Sequence, residues 1–367
     1  MRYIIAKGYY GLGGSLAVLA SSMRLADKYN ATLVVDWLDG VYGLKGKDIF
    51  NEVFELPISN AHFRNVEGLR VWPAEWQGYY HKTMPHKIVN GLQLSRVTSE
   101  MVENSGELDK DNYDCFVVSR DDVYWHRPEF KEEISRYVRT LKPVARIRKN
   151  IDSYELGRAC IGVHFRHGNG EKTVVPPNIN WFFEKVNGFL DKSPSSYILV
   201  CTDCIEVLRA FEKKYPGKIV SSNKNYPDLG SGSMHLDNNN SERLQAIEEA
   251  IVDIWLMSKC SYIVGSKSFF SGVALKLSDG IEKENVKVWS PVWRSHKPAS
   301  DEFPLEKHKQ LSSAFESWQL LTDGIYLSEK NNVLKIRYLY HELGSYSSIN
   351  EIDFQWLKKK LIKFRCY

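Results

Sequence analysis

The chain has 367 residues, a formal net charge of +4 with histidines neutral, 43% hydrophobic and 26% charged residues. This is an ordinary globular composition of about two domains, which excludes a disordered, collagenous or disulfide-dense chain. So small a charge for the length allows an anionic ligand but gives no case for nucleic acid as the main partner.

The six cysteines are Cys115, Cys160, Cys201, Cys204, Cys260 and Cys366. Cys201 and Cys204 form a lone C-x-x-C, without the second pair or the flanks that a zinc or redox site needs. The thiols are therefore read as reduced and the compartment as cytoplasmic. The start, Met1 to Lys7, is too short and too charged for a signal peptide. No apolar run approaches the ~20 residues of a membrane span.

Tyr3–Ala6 reads as a strand, Gly8 to Gly14 as a Gly-rich loop, and Ser15–Tyr29 as a helix with Leu16, Leu19, Ala20, Met23 and Ala26 on one face. Thr32–Asp36 is a second, nearly all-apolar strand, as a buried parallel strand should be. Gly11, Gly13 and Gly14 fall short of the full dinucleotide fingerprint. A tight strand-to-helix turn and contact with a ligand are equal readings of them. Residues 37–140 are less regular. Trp72, Trp76, Tyr79, Tyr80, His81 and His86 suit either an acceptor groove or, more simply, the shell of the first domain. Phe116–Ser119 reads as a strand and Glu129–Leu141 as a charged helix. The basic stretch Lys142 to Asn150 marks the domain boundary.

The second half repeats the βαβ grammar of a doubly wound parallel sheet. Its key stretch runs from Ile161 to Glu171, a short apolar strand that opens into a turn bearing His164, Arg166, His167, Asn169 and Glu171. Arg166 can clamp phosphate oxygens with its planar fork, and Gly168 and Gly170 let backbone approach a ligand closely. Helix Trp181–Leu190, strand Ser196–Cys201, helix Ile205–Tyr215 and strand Lys218–Ser221 follow. Thr202 and Asp203 fall at the carboxyl end of a strand, where open α/β sheets bind ligands. Asp203 is either a ligand contact or the N-cap of the next helix. In the helix Ser241–Lys259, Asp253 stands inside an apolar run, which is costly without partners. It is either half of a buried ion pair or a carboxylate that accepts two parallel hydrogen bonds from the N–H edge of guanine. Strand Ser261–Gly265 leads through Ser266, Ser268 and Phe269 into a helix ending at Leu277. Ser268 with the helix N–H groups can hold a phosphate, or simply cap the helix. Val286–Trp289 is the next strand, and Phe354–Phe364 reads as a terminal helix.

Together these residues resemble the fucosyltransferases of the nodulation protein Z type, kin of the eukaryotic α1,6-fucosyltransferases. The pieces that carry the resemblance are Gly11-Leu12-Gly13-Gly14, Thr32 to Trp37, the run His164-Phe165-Arg166-His167-Gly168-Asn169-Gly170-Glu171, Cys201-Thr202-Asp203, and Ala250–Cys260 followed by Ser266–Phe270. The resemblance implies an α/β protein of GT-B fold, two Rossmann-like domains facing across a cleft. Residues 1–150 would form an acceptor-side domain, 151–305 the GDP-sugar domain, and 306–367 a helical extension packing back on the core. It also implies inverting, metal-independent transfer of L-fucose from GDP-β-L-fucose to a glycan hydroxyl, with no cofactor beyond the donor. Arg166 would hold the β-phosphate, His164 would lie close to the nucleotide, and Asp253 would read guanine. Ser268 and Phe269 would meet the diphosphate, and the first Gly loop would face the nucleotide across the cleft. His167, Asn169, Thr202 and Ser266 are counted with these contacts. Glu171 is the first candidate for the general base and Asp203 the second. Ser266 to Gly272 also looks like the Ser-x-Phe-Ser signature of α1,2-fucosyltransferases, so the linkage is α1,6 or α1,2. Two other readings stay open: a transferase for another nucleotide sugar, and a non-catalytic nucleotide-sugar or glycan-binding protein.

Overall fold

The computed structural model describes residues 2–38, 48–56, 60–61, 66, 68–79, 87–120, 123–156, 160–168, 176–227, 240–278, 281–289, 326–330 and 333–337. Glu171 and Asn169, together with Tyr80, His81, His86 and the segment 354–364, lie outside them.

The first sheet has all its strands parallel. β1 (Tyr3–Lys7) lies at its centre, flanked by β2 (Thr32–Asp36) with β3 (Asn60–Ala61) beyond it. On the other side, β5 (Cys115–Val118) is followed by β4 (Val71–Trp72). Ile4, Ile5 and Ala6 are fully buried, and no apolar–polar alternation appears in β1, because both faces of a parallel sheet are covered. Helix α1 (Leu12–Lys28) starts three residues earlier than its apolar stripe predicts and is buried almost all the way round. Its one buried cation, Arg24, is paired with Glu103 and Glu133.

The second sheet is also parallel, in the order β8 (Ile219–Val220), β7 (Tyr197–Thr202), β6 (Cys160–Phe165), β9 (Tyr262–Ser266), β10 (Val286–Trp289). Helices α5 (Ile179–Leu190) and α6 (Ile205–Lys214) cover one face, where Ile161, Val163, Phe182 and Phe211 form a core of their own. Helices α7 (Asn240–Ser258) and α8 (Phe269–Leu277) belong to the other face. The core there runs without interruption into that of the first sheet.

The chain between the sheets supplies α2 (Val123–His126), α3 (Lys131–Thr140) and α4 (Ala145–Asp152). These helices bind the two halves together. Arg146 pairs with Glu248 on α7, and the Arg139 guanidinium donates to the Lys276 carbonyl at 3.2 Å. Trp76, expected in an aromatic segment of open purpose, is fully buried and stacked on Tyr9, so it belongs to the shell of the first domain. Beyond residue 306, the described residues form an antiparallel hairpin, Tyr326–Lys330 with Val333–Arg337, where a helical extension is expected.

Candidate active site

Three strand ends of the second sheet meet at one place. His164, Cys201 and Gly265 are register partners across β6, β7 and β9, so they share a face of the sheet. Just beyond them lie the turn Arg166-His167-Gly168, the pair Thr202-Asp203, and the entry to α8.

The turn is held from two sides. Asp203 Oδ1 accepts the His167 N–H at 2.7 Å, and Oδ2 accepts the Gly168 N–H at 2.8 Å. Ser266 Oγ accepts the Arg166 N–H at 3.1 Å and donates to the His164 carbonyl at 3.2 Å. Gly168 has φ +78°, a left-handed conformation that favours glycine. Arg166, half-buried, is thus carried on backbone tied by hydrogen bonds to two neighbouring strand ends.

These bonds correct one of the expectations for Asp203. It does not cap a helix, since α6 begins at Ile205 with Cys204 as its N-cap residue, and Thr202 Oγ1 accepts the Cys204 N–H at 3.3 Å. Asp203 positions the Arg166 turn.

His164 is 6% exposed and stacks on Phe270 at 4.6 Å, with Nδ1 3.5 Å from Ser268 Oγ. Burial, with help from the charges of Arg166 and Lys224, pushes its pKa down to about 3, so the imidazole is neutral near pH 7. Ser268 caps α8 by accepting the Ser271 N–H at 3.3 Å, which realises the plainer of its two readings. Ser271 Oγ in turn donates to the Ser266 carbonyl at 2.7 Å.

The first domain meets this site through α1. A Cβ at Gly13 would lie 2.5 Å from backbone atoms of Phe269 and Phe270, so the first turns of α1 and α8 touch backbone to backbone. A Cβ at Gly14 would lie 2.8 Å from Tyr10 Cβ. At positions 13 and 14 a side chain would therefore meet protein at once, so glycine there lets the turns pack closely. Gly11 is the N-cap residue of α1 and makes no side-chain bond. Two helix N-termini, each with N–H groups that find no partner within the helix, are brought side by side. Trp125 and His126 of α2 close over Phe269, with ring separations of 5.8 Å and 5.4 Å.

Asp253 has the partners that its burial demands. Its carboxylate accepts from Ser222 Oγ and from the Lys224 ammonium, in the loop after β8. Both members of the ion pair are almost completely buried. Lys224 and Ser222 had no motif to reveal them. The only signal was the cost of Asp253 itself, which calls for a partner without naming it. The cover supplied by Trp125 and His126 also escaped sequence reasoning, because nothing links that short helix to residue 269. Among the described residues, no group of three or more His, Cys, Asp or Glu could hold a metal ion. No described helix is long and apolar enough to cross a membrane.

Residues 107–277, which hold this whole constellation apart from the α1 loop, match the family model described as Nodulation protein Z (NodZ). The chain is 25% identical over 293 residues to nodulation protein Z of Azorhizobium caulinodans, covering 72% of this chain and 84% of the relative. To nodulation protein Z of Sinorhizobium fredii it is 24% identical over 289 residues, covering 72% and 86%. Among solved structures it resembles the fucosyltransferase NodZ from Bradyrhizobium, with TM-score 0.51, 19% identity, and 75% of this chain and 92% of that one covered. It also resembles a NodZ alpha-1,6-fucosyltransferase co-crystallized with GDP, with TM-score 0.54, 19% identity, and coverage of 75% and 91%. With its two parallel α/β sheets, the chain has the GT-B fold.

Proposed function

We propose that this chain is a fucosyltransferase that moves L-fucose from GDP-β-L-fucose to a glycan hydroxyl, with inversion and without a metal. The observation that carries the reading is the Arg166 turn, fixed by Asp203 and Ser266 beside two abutting helix N-termini. Such a place suits a diphosphate. The solved NodZ relatives, one with GDP and one soaked with GDP-fucose, support the choice of donor.

In this reading the acceptor oxygen attacks C1 of fucose from the face opposite the diphosphate. The bond from C1 to the β-phosphate oxygen breaks through an oxocarbenium-like transition state. Charge accumulates on the departing GDP, and Arg166 with the N–H groups of α8 and α1 compensates it. His164, held neutral, contributes shape and hydrogen bonding rather than charge. The acceptor proton needs a base. Glu171, five residues beyond Arg166, is the first candidate from the sequence and Asp203 the second.

The test is release of GDP from a panel of GDP-fucose, GDP-mannose and UDP-sugars, with and without EDTA and with glycan acceptors present. We expect GDP-fucose alone to turn over, EDTA to have no effect, and Arg166→Ala to lower the rate by about 100-fold or more. Turnover of a UDP-sugar would refute the donor assignment, and loss with EDTA would refute the metal-free mechanism.

A further inference from the structure

The loop after β8 places Lys224 against Asp253. The ammonium and the carboxylate are 4% and 5% exposed. Burial alone works against the ammonium, but the carboxylate outweighs it and holds Lys224 protonated. Ser222 of the same loop donates to the other carboxylate oxygen.

The remaining groups that face this pair come from three directions. On α7, Glu249 stands one turn before Asp253, and its Oε2 is buried without a partner. In the loop, the Tyr226 ring lies 5.4 Å from the Lys224 ammonium. From the sheet, Cys201 donates to the Asp253 carbonyl at 3.7 Å, and neutral His164 is its register neighbour. Lys224 is the cation among the described residues that is paired with Asp253.

We propose that Lys224 is a specificity-determining residue, which selects guanine over adenine by keeping Asp253 an acceptor on both oxygens. The inference rests on the reading of Asp253 as the carboxylate that meets the base. An ionised carboxylate has about four lone-pair positions. Ser222 and Lys224 use one on each oxygen, which leaves one on each for the parallel N1–H and N2–H donors of guanine. A protonated carboxyl is instead one donor and one acceptor. That pattern complements the N6–H donor and N1 acceptor of adenine. In so buried a place, a carboxylate without its cation takes up a proton rather than stay charged. Lys224 thus acts on the base through Asp253.

The experiment is calorimetric binding of GDP and ADP from about pH 5.5 to about pH 8.5, the range where an uncompensated buried carboxylate titrates. The readout is the ratio of the two affinities. Titration of the terminal phosphate, common to both ligands, cancels in it. The wild type and Lys224→Arg should show a high ratio that does not change with pH. In Lys224→Met and Lys224→Gln the ratio should fall towards acid, by about tenfold per pH unit where Asp253 titrates. Adding Glu249→Gln to Lys224→Met should leave that fall in place, which assigns it to Asp253. Asp253→Asn should give a low ratio at every pH.

A high, flat ratio in Lys224→Met and Lys224→Gln, with a low ratio in Asp253→Asn, overturns the role of Lys224 and leaves the base-reading carboxylate standing. A wild-type ratio in Asp253→Asn, or no GDP binding in the wild type, overturns the base reading itself. A wild-type ratio that falls towards acid overturns the proposal without any variant, so the test survives if Lys224→Met does not fold.

Discussion

His164 sits under Phe270 with its ring 4.6 Å away, in a row of strand ends where water does not reach it. Its pKa, about 3 in the fold against an ordinary value of 6.5, makes it a burden in acid. Between those values the unfolded chain binds a proton at this position and the folded chain does not. Stability from this residue is therefore complete above about pH 6.5 and falls as pH drops towards 3, with a limiting slope of about 1.4 kcal/mol per pH unit. Urea unfolding midpoints of His164→Gln should accordingly decline less steeply with acid than those of the wild type. Equal slopes would mean that this imidazole is protonated in the fold. The same burial argument governs Lys7 and Asp36, a pair 1% exposed at the ends of β1 and β2. Each is tolerable only because the other is present.

At the scale of elements, the site depends on how closely α1 and α8 approach. A methyl at Gly13 would meet the backbone of Phe269 and Phe270, which has no flexible end to move aside. Gly13→Ala should cost about 1–3 kcal/mol as an overpacked contact and weaken GDP binding, because Ser268 and Phe269 shift with α8. Gly188 in α5 is the control, since a Cβ there meets nothing within 4 Å. Gly188→Ala should be neutral or stabilise by up to ~1 kcal/mol. Thermal melts and GDP titration of the two variants check this contrast. The elements themselves were largely legible. Uninterrupted apolar runs marked β1, β2, β6 and β9, and helical periodicity marked α1, α6 and α7, within a few residues of their ends. The short strands β3 and β4 were not legible. Two residues carry no period, and Val71–Trp72 is a strand only because Cys115 and Phe116 lie beside it.

At the scale of the whole molecule, the two halves share one core, and Trp125 lies in the seam. Its indole packs against Gly272 and Phe269 and lies 4.6 Å beneath the Lys276 ammonium. Trp125→Ala should destabilise by about 3–5 kcal/mol, as large-to-small changes in a core do. In calorimetry it should split one unfolding transition into two, because the seam rather than either sheet is weakened. A single transition at a lower temperature would show that the halves are joined chiefly elsewhere, through Arg146 and Glu248 or through Phe54 and Trp255.

What the sequence by itself determined is whatever depends on neighbours along the chain. It includes the βαβ order of both halves, the strand ending in Arg166, the helix that starts near Ser268, and the fact that Asp253 must have a partner. What only the tertiary structure decided is which distant residues answer those demands. Asp203 reaches back to the amides of His167 and Gly168, Lys224 and Ser222 reach Asp253, and Gly13 meets Phe269. A carboxylate reads the same in sequence whether it caps a helix, clasps a turn or meets a base. Its role is set by the donors that folding places within hydrogen-bond reach, and those donors come from chain segments that no local pattern connects.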